Sequence, residues 1–76
     1  MEKMRIETQY SIGEKIEIGG YDKDDQICTI MSMEINVLKI DKMDVTYWYR
    51  RDKSNTEGRF TVVEDCNGNQ IGFKYY

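Results

Sequence analysis

Histidine and proline are both missing from this chain of 76 residues, and cysteine occurs only twice. Without histidine, the chain lacks the commonest general base and the usual activator of a nucleophile. Cys28 lies in an apolar run, where burial makes a thiol inert, and Cys66 has no activating residue beside it. We therefore expect no enzymatic activity and no cofactor, and free thiols in a reducing compartment.

Long apolar runs are also missing. No segment approaches the roughly 18 apolar residues of a membrane span. The first ten residues, MEKMRIETQY, carry charges where a signal peptide requires an apolar stretch, so we expect a cytoplasmic protein. Asp22, Asp24 and Asp25 offer oxygen ligands to a hard cation, but they lack the rest of an EF-hand loop. This favours a solvated loop and no metal site.

Length and charge limit the chain further. Residues 1–76 show no linker composition and no internal repeat, which indicates a single domain. The net charge of −3 gives a field that repels phosphate, so bulk electrostatics do not favour nucleic acid. The apolar fraction of 39% is rich in β-branched and aromatic residues and is sufficient for a compact core.

The strongest local pattern is a β-hairpin. Residues 45–50 and 59–64 are rich in β-branched and aromatic side chains, and they flank a polar segment at residues 51–58. Alternation separates the side chains of the first run into two faces: Val45, Tyr47 and Tyr49 on one, and Thr46, Trp48 and Arg50 on the other. One face can therefore build a core while the other shows an aromatic ring and a guanidinium to solvent.

Further strands are predicted on both sides of this hairpin. Alternating apolar residues predict an N-terminal strand over residues 3–10 and a short strand at residues 16–18. Asn67 and Gly68 predict a two-residue hairpin turn, with both residues at positive φ, that pairs residues 62–66 with residues 70–74.

The longest apolar stretch, residues 26–38, has a mixed pattern. Both of its side-chain parities hold apolar residues: Ile27, Met31, Met33 and Ile35 in one, and Cys28 and Ile30 in the other. We interpret it as a long bent strand, buried on both faces for part of its length, with residues 39–44 as a charged connection. A helix over residues 31–43 is the alternative, although its spacing fits poorly and it lacks a cap.

Five to six short antiparallel strands, with turns at intervals of about ten residues, predict an all-β fold, as a small barrel or sandwich. At this size we favour a partly open barrel, which removes most exposed strand edges. Residues 10–18, YSIGEKIEI, resemble the opening aromatic-x-x-Gly-acid-x-aliphatic segment of Src-homology-3-like barrels of the Tudor and KOW type. A strand at residues 28–33 and a hairpin strand at residues 46–50 follow in the same order. The resemblance implies a Src-homology-3-like barrel of bacterial or phage type.

An aromatic and basic patch is the best candidate for a binding site. Its members are Trp48, Arg50, Arg51, Arg59 and Phe60. Aromatic rings interleaved with arginine can stack bases and hold phosphates, and the same residue types dominate protein–protein hot spots. The alternative is structural, with the rings in the core and the arginines solvating the hairpin tip.

Two functions are compatible with this patch. Because the net charge is negative, we expect a non-catalytic interaction module that binds a protein partner, as an accessory or inhibitory protein. The alternative is a nucleic-acid-binding barrel that uses the same face. An open barrel edge also leaves a weak homodimer possible beside a monomer.

Overall fold

The computed structural model describes residues 6–20 and 23–74 of the chain. These residues form one antiparallel sheet whose strands are β1 (Lys15–Glu17), β2 (Ile27–Lys39), β3 (Lys42–Arg51), β4 (Glu57–Glu64) and β5 (Gln70–Lys74). The strands pair in chain order and curl into a half-barrel, which confirms the all-β, partly open, antiparallel prediction with five strands. Within the described ranges, no helix has the length and apolarity needed to cross a bilayer.

The core lies on the concave face of the sheet. Val45 and Tyr47 of β3 are fully buried there, and Val45 lies opposite Val62 of β4. Tyr49, further along the same face, is half-buried, whereas Trp48 points to the convex face. The predicted separation of β3 into two faces is therefore confirmed, and it assigns Tyr47 fully and Tyr49 partly to the core.

β2 changes its side-chain register at Met31. Ile30 lies opposite Tyr49 but Ser32 lies opposite Trp48, so Met31 is the extra residue of a β-bulge. The residues of β2 that share the concave face are Cys28 and Ile30 before the bulge, and Met33, Ile35 and Val37 after it. The mixed apolar pattern therefore reflects a change, at the bulge, in which alternate residues face the core. The predicted burial of both faces is wrong. The helix alternative over residues 31–43 is excluded.

β2 and β3 form a long hairpin that is closed at Ile40 and Asp41. Most of residues 39–44, predicted as a connection, is therefore strand. β1 pairs with β2 only at residues 27–29, and Ile30 adds two backbone hydrogen bonds to the turn before β1. Beyond that point no described residue pairs with the outer side of β2, so residues 31–39 form a free edge among the described residues. The molecule has dimensions of 47 × 23 × 15 Å.

The segment before β1 does not form the predicted strand. Its described part, residues 6–10, makes one isolated bridge between Glu7 and Asn67, and residues 3–5 lie outside the described residues. Two contacts hold it instead: the amide N–H of Glu7 donates to the Cys66 carbonyl at 2.9 Å, and that of Gln9 donates to the buried Glu64 carboxylate at 2.9 Å. A contact between residues so distant in sequence leaves no local periodic signal.

The β4–β5 hairpin is confirmed, but its predicted turn is wrong. The loop comprises residues 65–69, and of the Asn67–Gly68 pair only Gly68 has a positive φ, 84°. The Asp65 carboxylate accepts the amides of Asn67 at 2.9 Å and Asn69 at 3.0 Å. These bonds, with those from Asn69 the strongest, hold the pKa of Asp65 below its ordinary 3.8. The carboxylate therefore organises a longer loop than a type I′ turn requires.

Candidate functional site

Trp48 lies near the middle of the convex face. It is opposite Ser32 of β2 and Arg59 of β4. Arg50 shares this face, two residues along β3, and lies opposite Glu57. The structure therefore brings together three of the predicted binding residues, and we call Trp48, Arg50 and Arg59 the Trp48 patch.

A cleft of about 290 Å³ opens beside the indole of Trp48. Its other walls are Met31, Ser32, Tyr49 and Glu57. The extra residue of the bulge bends β2 at this point, and the small side chain of Ser32 lies opposite Trp48, which is partly exposed. The cleft combines an aromatic wall, a thioether and a carboxylate, which suits an apolar or basic side chain.

Arg51 does not join this patch. Its guanidinium donates to the backbone carbonyls of Ile18 at 2.9 Å, Asp25 at 2.6 Å and Gly19 at 3.0 Å. The guanidinium carbon also lies 5.8 Å from the centre of the Tyr49 ring, within cation–π range. Arg51 therefore ties the end of β3 to the loop between β1 and β2.

Phe60 lies on the concave face. Its ring centre is 5.3 Å from that of Tyr47 and 6.2 Å from that of Tyr10, so it belongs to the aromatic part of the core. With Phe73, which is 66% exposed, it also lines a concave groove of about 390 Å³ between the first and last strands. The five predicted binding residues are therefore not all on one surface. Three lie on the convex face, Phe60 lies on the concave face, and Arg51 binds the loop between β1 and β2.

Acidic residues are interleaved with the basic residues at the tip of the central hairpin. Asp52 accepts hydrogen bonds from Lys15 at 2.5 Å and Thr29 at 2.6 Å, and these bonds, that from Lys15 first, lower its pKa. Lys53 Nζ lies 3.9 Å from a carboxylate oxygen of Asp24. The positive charge that the sequence concentrates here is therefore locally offset.

The two thiols are free, and both have a raised pKa. Cys28 is fully buried, and burial raises the pKa of its thiol. The Cys66 thiol donates to the Asp41 carboxylate at 3.0 Å, which raises its pKa as well. Neither is activated as a nucleophile. Among the described residues no three potential metal ligands converge; Asp22 lies outside them.

Sequence reasoning missed the cleft, and it predicted an open edge without placing it on β2. Met31, Ser32 and Glu57 become cleft walls only because of the bulge and the strand register, and the mixed parity of β2 was the one available signal. Comparison of the chain with protein-family models, with curated proteins and with solved structures finds no match. The resemblance of residues 10–18 to Src-homology-3-like barrels therefore stays a prediction.

Proposed function

We propose that this protein is a non-catalytic interaction module that binds a protein partner through the Trp48 patch. The observation that carries the proposal is the cleft beside the partly exposed Trp48, at the point where β2 has its first bulge. Tryptophan and arginine are the residues most enriched in interface hot spots, which cluster around well-packed pockets. The cleft offers such a pocket to one anchoring side chain of the partner.

The charges around the cleft indicate the chemistry of the partner. Glu57 lines the cleft, so a basic or apolar anchor fits it better than an acidic one. Arg50 and Arg59 lie on the same convex face, and guanidinium groups bind carboxylates and carbonyls. The partner surface is therefore an anchoring residue surrounded by acidic or carbonyl-rich positions.

A nucleic-acid ligand is the second candidate, and one observation favours it. Trp48, Arg50 and Arg59 share a face on which a base can stack and phosphates can be held. Glu34 and Glu57 lie on that same face, and the net charge is −3. Phosphate binding here is therefore opposed both locally and over the whole molecule.

The test uses Trp48→Ala, with Phe73→Ala as a matched control on the concave face. Affinity capture from a host lysate, followed by titration of the captured protein, should show at least about a tenfold loss of affinity for Trp48→Ala and little change for the control. Thermal unfolding monitored by circular dichroism verifies that both variants fold. Equal binding by wild type and Trp48→Ala would refute the proposal.

Amide-shift titration with a short mixed single-stranded oligonucleotide separates the two candidates. Phosphate contacts make affinity fall steeply between about 50 and 200 mM salt. Shifts at the Trp48 patch that fade over this range would favour nucleic acid as the ligand and overturn the proposal of a protein partner. No shifts at either salt concentration would eliminate the second candidate.

A further inference from the structure

The free edge of β2 is long and largely apolar between its two bulges. Sheet edges are normally guarded by proline, short length, β-bulges or charged side chains. The chain has no proline, and the edge carries half-exposed Ile35, Val37 and Leu38, at 38%, 46% and 48% exposure. Between the bulges at Met31 and Leu38 the strand is regular. A regular apolar edge is a template for another strand.

We propose that this edge pairs with the same edge of a second copy of the chain, antiparallel, about a two-fold axis that passes beside Asn36. A two-fold axis normal to the sheet makes the concave faces of the two copies continuous. Two copies then form one sheet of ten strands with β2 next to β2.

The concave side of this pairing is apolar on both copies. With the axis at Asn36, Ile35 of each copy lies opposite Val37 of the other. Within one copy these residues lie beside Val45 and Met43, which are at most 2% exposed, yet they remain half-exposed themselves. The second copy covers the flank of the core that the single chain leaves open.

The convex side supplies the charge complementarity that selects a second copy. Because of the bulge at Leu38, Lys39 lies opposite Lys42 and shares the convex face with Glu34. The pairing brings Glu34 of one copy opposite Leu38 and Lys39 of the other, twice per dimer. Within one chain, Lys39 and Lys42 are like charges directly opposite each other, an unfavourable arrangement that a facing carboxylate relieves.

The dimer is independent of the proposed partner site. The paired segment runs between Met33 and Lys39, whereas Trp48 lies opposite Ser32, just before that segment, and the β2 walls of the cleft, Met31 and Ser32, do not belong to it. Either proposal can therefore fail without the other, and the experiments read out different quantities.

Sedimentation equilibrium over about 1 µM to 1 mM protein measures the dimerisation constant. Glu34→Lys and Lys39→Glu should each weaken the dimer about tenfold, and the double variant should recover most of the wild-type affinity. Glu17→Lys, an equivalent charge reversal on β1, is the matched control and should leave the constant unchanged. High salt should weaken the wild-type dimer.

Amide hydrogen exchange provides a second readout on the wild-type protein. Amides of residues 33–37 that face the edge should become protected as the concentration rises, while those of β5 should not. A monomer at every concentration overturns the proposal. So does a dimer that Glu34→Lys leaves unaffected, that the double variant fails to restore, or that protects β5 instead.

Discussion

Replacing Tyr47 with phenylalanine removes a hydroxyl that donates to the Glu64 carboxylate at 2.5 Å, in a site where both residues are fully buried. Among the described residues, the amide N–H of Gln9 is then the remaining donor to that carboxylate. A hydrogen bond to a charged group contributes about 1.5–3 kcal/mol, and loss of the donor leaves the buried acceptor under-satisfied. We expect Tyr47→Phe to lower the free energy of unfolding by about 2 kcal/mol, which is roughly 8–16 °C in Tm for a domain of this size.

Urea unfolding monitored by tryptophan fluorescence measures this loss, and an unchanged m-value shows that the native state keeps its compactness. Tyr49→Phe is the matched control, since it lies on the same face of β3 and its hydroxyl makes no hydrogen bond to the described residues. The control should cost less than about 0.5 kcal/mol. Equal losses for the two variants would refute the assigned role of the Tyr47–Glu64 bond.

The Tyr47–Glu64 hydrogen bond also predicts a loss of folding stability at alkaline pH. Burial first, and then the hydrogen bond to Glu64, raises the pKa of Tyr47 above its ordinary 10.0. Above pH 10 the unfolded chain releases this proton while the folded chain keeps it, so stability falls as the pH rises. Tyr47→Phe should show a shallower alkaline loss than wild type, and parallel curves would contradict the assignment.

Three further predictions concern single positions. A Cβ at Gly58 would lie 2.5 Å from the Tyr49 hydroxyl, so Gly58→Ala should cost about 1–3 kcal/mol in urea unfolding, and less in a Tyr49→Leu background. Arg51→Ala removes the donor to the Ile18 carbonyl, so the Ile18 amide should exchange faster, and Arg51→Lys should not restore protection because it lacks the planar fork. The lowered pKa of Asp65 contributes stability that is present above pH 3.8 and lost as the pH falls through the lowered value, so Asp65→Asn should flatten acid unfolding curves.

Each of these has a contrary result. If the free-energy losses of Gly58→Ala and Tyr49→Leu simply add in the double variant, the alanine Cβ does not clash with the Tyr49 ring. Full protection of the Ile18 amide in Arg51→Ala would remove the structural role of the guanidinium. Identical acid midpoints for wild type and Asp65→Asn would mean that the loop bonds of Asp65 do not differ between the folded and unfolded states.

Local alternation predicted the faces of β3 because a strand has a period of two and one side of this sheet is buried. The same rule places Arg50 with Trp48 and separates Arg51 from them, so the division of those arginines was readable from parity. The position of Phe60 was not, because it depends on which residues of β3 and β4 lie opposite each other. That register is set by the length of the loop at residues 52–56.

The other failures share a physical cause. The bulge at Met31 shifts the alternation of side chains by one residue, and no residue type in the sequence marks it. A prediction that assumes strict alternation therefore interprets the shifted pattern as burial on both faces. The N-terminal segment alternates like a strand, but its amide groups bond to Cys66 and to the Glu64 carboxylate, far along the chain. The Asn67–Gly68 signal located a hairpin correctly, and the Asp65 side chain then determined the loop length.

The bulge in β2 is also a place where the length of the chain can change without changing the face on which later side chains lie. Ile30 points to the concave face and Ser32 to the convex face, so removing Met31 would leave an uninterrupted alternation with every later side chain on its present side. Removing a residue from the regular segment at residues 33–37 would instead invert the faces of part of the strand. We therefore expect removal of one residue to be tolerated at the bulge, where it would restore regular pairing of β2 with β3 and keep the core-facing side chains in place.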